Sequence, residues 1–213
     1  MKFEMESNLM NGYIKAYELA CAEFLRRDPL VLCQSTQSTL LEKEKMIIVT
    51  YLNSEYHVNC TDGEVTKSGS KDAVTTTVKL LIMHYLLNAK TVPKTNKFIS
   101  FRDVKGGGMN YFSTFEKRAI TPLRKTFDKC PDNLITAGEK LGGIRVTFGD
   151  ASVTINIFPL IPVTYVVWLG DDEISSSATI LFDENVNKLL PCEDIVLVAS
   201  FGVYALMKSN SEV

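Results

Sequence analysis

The sequence predicts an α+β protein: a helix-rich amino-terminal half with a short hairpin, then an antiparallel β-meander capped by a final helix. Two observations carry this. Apolar residues recur at three- and four-residue spacing through most of the first 142 positions, and at two-residue spacing after Gly143. Gly, Pro and Asp-rich turns then separate the period-two runs at short, regular intervals.

In order, Tyr13, Ala16, Tyr17, Ala20 and Phe24 predict a helix over residues 10–27, stopped by Asp28-Pro29. Residues 34–39 read as a polar loop. Residues 45–51 and 55–60 read as two strands joined at Asn53-Ser54, and residues 61–71 as an exposed, turn-rich run. Val74, Val78, Leu81 and Tyr85 mark a helix over 72–88, broken near Pro93. A strand over 97–104 leads to Gly106-Gly107-Gly108 and a helix over 109–119. Thr121 reads as the N-cap of a further short helix with Pro122 at its first position, and Pro131 opens another that ends at Gly142-Gly143. Ile144, Val146 and Phe148 then share one strand face, as do Val153, Ile155 and Ile157 on the return strand. Residues 162–169 and 177–182 form a second hairpin across Gly170-Asp171-Asp172-Glu173, and a final helix covers 193–208. No repeat or linker marks a boundary, so residues 1–213 read as a single domain with possible sub-halves 1–142 and 143–213.

Composition narrows the function classes. Hydrophobic residues at 46% can bury a sizeable core, which excludes a largely disordered chain. No uncharged apolar run approaches the roughly 20 residues that span a bilayer, and residues 1–8 lack the apolar core of a secretory signal. The expectation is a cytoplasmic protein without membrane contact. Five cysteines without CxxC spacing argue against a disulfide framework and against a cysteine-only metal site. The net charge of −2 is unevenly spread: +6 over residues 94–129 and −7 from Asp150 onward. A sequence pI near 5.8 argues against a dedicated nucleic-acid binder.

The search for chemistry yields little. There is no GxSxG, HExxH, Walker or GxGxxG pattern. His57 and Cys60, three apart in a strand, point to opposite faces, and His84 reads as a helix boundary residue. Asp171, Asp172 and Glu173 form a carboxylate-rich turn that reads as a hard-metal site or as a solvated hairpin tip. Asp183 lies a strand away, roughly 20 Å at 3.3 Å per residue, too far to join them. Gly106, Gly107 and Gly108 follow a strand and precede a helix, a context in which backbone amides can cradle an anion. Lys105 adds charge there, and Tyr111, Phe112 and Phe115 can form an apolar wall, or belong to the core. These seven residues are the candidate ligand site. No catalytic residue and no metal ligand is assigned, and the cofactor is unknown.

The second half carries an ordered series: Asp150; Phe158-Pro159-Leu160-Ile161-Pro162; Trp168-Leu169-Gly170-Asp171-Asp172-Glu173; Ile180-Leu181-Phe182-Asp183; Leu190-Pro191-Cys192-Glu193-Asp194. Together with the glycine turn, Pro122-Leu123 and Leu141-Gly142-Gly143, it resembles the bacterial and archaeal family known as domain of unknown function 3786, over residues 10–208. The family is typical of anaerobes, and some members carry an additional four-cysteine iron–sulfur domain; the five cysteines here form no such cluster, so no iron–sulfur cofactor carries over. The resemblance implies an accessory or ligand-binding protein of anaerobic one-carbon, corrinoid or redox metabolism, with no catalytic residues to carry over. Trp168, Asp171, Asp172, Glu173 and Asp183 are family-motif residues without a role. They also have a structural account, with Trp168 filling the sheet face and Asp183 capping the turn after it. Three readings stand side by side: a non-catalytic module for an anionic or planar ligand, a protein–protein adaptor, and a carboxylate-dependent metalloenzyme. The partner is therefore a small molecule or another protein.

Overall fold

A computed structural model describes residues 2–211, with side chains described from position 10 onward. Packing divides the chain between Thr91 and Val92 into two compact units. The fold is α+β, with helices leading, antiparallel sheets following and a long helix at the end.

In the first unit, α1 (Lys2–Phe24) is followed by α2 (Pro29–Thr36). Asp28-Pro29 opens this second helix as well as ending the first. The Asp28 carboxylate accepts from the Leu30 amide, and Pro29 loses nothing where no intrahelical donor is needed. The expected loop over 34–39 is therefore mostly the end of α2. The expected hairpin is present as β2 (Met46–Tyr51) and β3 (Ser54–Asn59). Its turn is Leu52-Asn53, one residue earlier than read, with both residues left-handed as a two-residue turn requires. Short strands β1 (Thr39–Leu41) and β4 (Val65–Lys67) extend it to four strands in the order β1-β2-β3-β4. β4 lies within the run read as exposed turns; its Val65 is buried. Ile47, Val49, Tyr51, Tyr56 and Val58 fill the core with α3 (Thr76–Asn88), whose Leu80, Leu81, Ile82 and Met83 are all buried.

The second unit holds the candidate residues. β5 (Phe98–Ser100) runs into a 3₁₀ turn over Phe101–Asp103, then α4 (Gly108–Phe115). A π-turn over Glu116–Ile120 joins α4 to α5 (Thr121–Phe127) without a break. Thr121 is helical and its side chain caps nothing, so the expected restart at Pro122 is a continuous helix. The missing Pro122 N–H and its clash with the preceding turn are absorbed by widening the helix at that point. α6 (Asp132–Lys140) ends as read: Gly142 is left-handed, and Gly142 and Gly143 donate to the Glu139 and Gly138 carbonyls.

β6 (Ile144–Arg145), β7 (Ala151–Phe158), β8 (Ile161–Trp168) and β9 (Ser177–Asp183) follow, then α7 (Val186–Leu189) and α8 (Cys192–Ser211). The sheet order is β5-β9-β8-β7-β6, antiparallel throughout. Val153, Ile155, Tyr165, Ile180 and Phe182 are buried on the face that meets the helices, and the Tyr165 hydroxyl donates to the Ala199 carbonyl of α8. A Cβ at Gly202 would collide with that hydroxyl, so only glycine lets α8 approach here. The strand read from Ile144, Val146 and Phe148 is only two residues long. Ile144 and Phe148 are exposed, because the chain leaves the sheet edge after Arg145 and folds back with the Phe148 amide on Ser152 Oγ. No helix among the described residues is long and apolar enough to cross a membrane.

Candidate functional site

The glycine turn after β5 is built from both ends. Ser100 and Asp103 form a reciprocal cap over the 3₁₀ turn, with Asp103 Oδ2 accepting from the Ser100 amide and hydroxyl. The Lys105 amide donates to Asn187 Oδ1 at 2.7 Å, tying the turn to α7. The Gly108 amide donates to the Val104 carbonyl. Gly107 has a φ of 143°, and a Cβ there would lie 2.8 Å from the Tyr111 ring; a Cβ on Gly108 would strike the Phe101 carbonyl oxygen. Two of the three glycines are thus required by close approach of the protein to itself.

The aromatic residues of this segment divide. Phe115 is fully buried, stacked on Phe101 at a centroid distance of 4.1 Å and adjacent to Phe182 on β9. It belongs to the core. Phe112 is half-buried and carries the Arg102 guanidinium over its ring, 3.6 Å from the centroid. Tyr111 is exposed, with its hydroxyl 3.4 Å from Glu193 Oε1. Together with exposed Lys105 and Met109 they make a small cation-and-aromatic surface. Arg102 and Met109 are its members that sequence reasoning missed. The signal for Arg102 was its place next to the buried Phe101 at the end of a strand.

The β8–β9 loop is organised by its own carboxylate. Asp171 Oδ1 accepts from the amides of Ile174 and Glu173, which hold the Asp171 carboxyl below the usual carboxylate range. Asp172 and Glu173 point into solvent. Among the described residues no three His, Cys, Asp or Glu side chains stand where they could share a metal ion. Trp168, expected to fill the sheet face, is 39% exposed at the last position of β8, opposite Ser177. The register leaves it at the end of the sheet, paired with the first residue of β9.

Asp183 sits at the far end of β9, paired with Phe98. Its Oδ1 accepts from the Asn185 amide, as the expected cap of the turn into α7. Its Oδ2 accepts from the Thr95 amide and hydroxyl and the Asn96 amide. The buried Asn185 donates in turn to the Pro93 carbonyl. A depression between residues 92–94, 160–162 and Asp183 lies beside this knot; its interior of about 10 Å³ has room for about one water.

All five cysteines are free thiols. Burial raises the Cys21, Cys33, Cys60 and Cys192 thiols, Cys33 to about 11, so none is an activated thiolate at neutral pH. Cys130 is exposed. Accordingly, a disulfide reagent at pH 8 is expected to label Cys130 first and Cys33 slowest, with the Cys33 rate rising toward pH 11. The sign for stability follows: the folded state holds the Cys33 proton more tightly, so its contribution is full below about pH 9 and declines as pH rises toward 11.

Fold and site together define a small α+β protein, with a helix-backed five-stranded sheet and an exposed cation-and-aromatic surface at its glycine turn. The chain belongs to the family described as domain of unknown function (DUF3786), which matches residues 28–205. Neither the curated proteins nor the solved structures contain a match to this chain.

Proposed function

We propose that the chain is a non-catalytic, cytoplasmic accessory protein that binds a small anionic or planar ligand on the surface formed by Arg102, Lys105, Tyr111 and Phe112. The Arg102 guanidinium stacked 3.6 Å over Phe112 carries this reading. A guanidinium held flat on an aromatic ring offers planar charge to an anion and a stacking edge to a ring system. The turn beneath it is held by Asn187 and by glycine packing, which lowers the ordering cost of binding. Raised thiols and a carboxylate loop whose Asp171 is already occupied by amides support binding over catalysis. The family resemblance supports a setting in anaerobic one-carbon, corrinoid or redox metabolism.

The test is anaerobic purification from the native host, followed by an absorption spectrum and mass spectrometry of what stays bound. A small molecule retained by the native chain and lost from the double variant Arg102→Ala, Phe112→Ala is the expected result. A ligand retained equally by both, or none in either, would overturn the reading. A protein–protein adaptor is the second reading, favoured by the exposed apolar and acidic residues of the β8–β9 loop, Trp168 to Ile174.

A further inference from the structure

Large apolar side chains crowd the turns at one end of the five-stranded sheet. Ile174 is 67% exposed, Leu169 44%, Trp168 39% and Phe148 36%. They are neighbours through the backbone that carries them. A Cβ on Gly149, next to Phe148, would lie 3.2 Å from the Trp168 ring. The Leu169 amide donates to Asp150 Oδ2, and the Asp171 amide donates to the Ile174 carbonyl. Phe98 meets the Phe148 ring edge-on at 5.1 Å, continuing the apolar line. Exposed aromatic and branched side chains grouped in this way mark interaction surfaces.

The patch is also held in place. Arg124 Nη1 donates to Ser176 Oγ, which reaches Asp128 Oδ2, so the loop is pinned to α5. Asp150, Asp171, Asp172 and Glu173 lie on the same loops as the apolar residues, outnumbering Arg124, the cation that reaches the loop at Ser176, and among the described residues none of these carboxylates is in an ion pair.

We infer that this end of the sheet docks a partner protein through a basic, amphipathic segment, whose apolar face covers Trp168, Leu169 and Ile174 while its lysines or arginines meet the four carboxylates. Charge selects this occupant. A second copy in a two-fold dimer would bring the same four carboxylates together, and an anionic lipid surface would be repelled. The inference concerns a different surface from the Arg102–Phe112 stack and stands without it.

Trp168 is the single tryptophan of the sequence, so its emission reports on the patch directly. The probe is an amphipathic helical peptide of leucine and lysine, titrated into the full chain. The expected result is a saturable blue shift of Trp168 emission, weakened by salt. Ile174→Ser is expected to weaken binding about tenfold, and the pair Asp172→Asn, Glu173→Gln to weaken it similarly with a smaller salt dependence. Both are surface changes, and matched thermal unfolding would establish that the variants fold. Phe112→Ala is expected to bind the peptide as the parent does. An unshifted Trp168, equal binding of a peptide with glutamate in place of lysine, or undiminished binding by Ile174→Ser would overturn the inference. So would a dimer, seen in sedimentation, that Ile174→Ser dissolves, since the occupant would then be a second copy.

Discussion

Phe115→Ala is expected to lower the free energy of unfolding by about 3–5 kcal/mol, the usual range for emptying a fully buried phenylalanine site. The ring is stacked on Phe101, tilted against Phe182 and completely enclosed, so its loss strips contacts from β9 and from the turn before α4 together. Equilibrium urea unfolding measures it directly, with Phe115→Leu as the milder control. A change within about 0.5 kcal/mol, as for ordinary surface substitutions, would mean that Phe115 is a ligand-facing wall. The expected loss means that Phe115 is a core residue and not part of a ligand-facing wall.

Asp183→Ala is expected to cost about 2–3 kcal/mol, the scale for deleting a charged acceptor from a group of donors. Four donors converge on this carboxylate, from Thr95, Asn96 and Asn185, and they connect the start of the second unit to the turn into α7. Asp183→Asn keeps an acceptor and is expected to cost less. Added Mg²⁺ is expected to change none of these values, because the donors, not a metal, satisfy the oxygens. Urea unfolding of both variants, with and without Mg²⁺, reads the difference. A Mg²⁺-dependent loss in Asp183→Ala alone would mean that the carboxylate holds a metal.

Much of the secondary structure was legible because its signals are local. The apolar spacing of α1 and α3, the alternation of Val153, Ile155 and Ile157, and Gly142-Gly143 after α6 each act within a turn or two of the chain. One local signal was read incompletely and one pointed the wrong way. Asp28-Pro29 ends α1 as expected, and it also starts α2 because Asp28 caps the Leu30 amide. Pro122 reads as a helix opening, yet packing of Ala119, Leu123 and Phe127 into the core keeps the helix running through it. Tertiary burial outweighs the cost of one widened turn.

The candidate site was legible only in outline. Lys105, the glycines and the aromatic residues stood together in the sequence, but which aromatic faces inward depends on Phe101 and on β9, a strand nearly 80 positions later at Phe182. Arg102 entered the surface through its stack on Phe112, a contact no spacing rule foretells.

By itself the sequence determined the fold class, the order of most helices and strands, the family and the lack of a recognisable catalytic pattern, since each follows from local periodicity, composition or ordered motifs. Only the tertiary structure decided that β5 pairs with β9, that Phe115 lies inside and Trp168 outside, and that Asp183 is a knot of hydrogen bonds. The reason is physical: an apolar or polar side chain acquires its role from what covers it, and the covering residues come from distant parts of the chain.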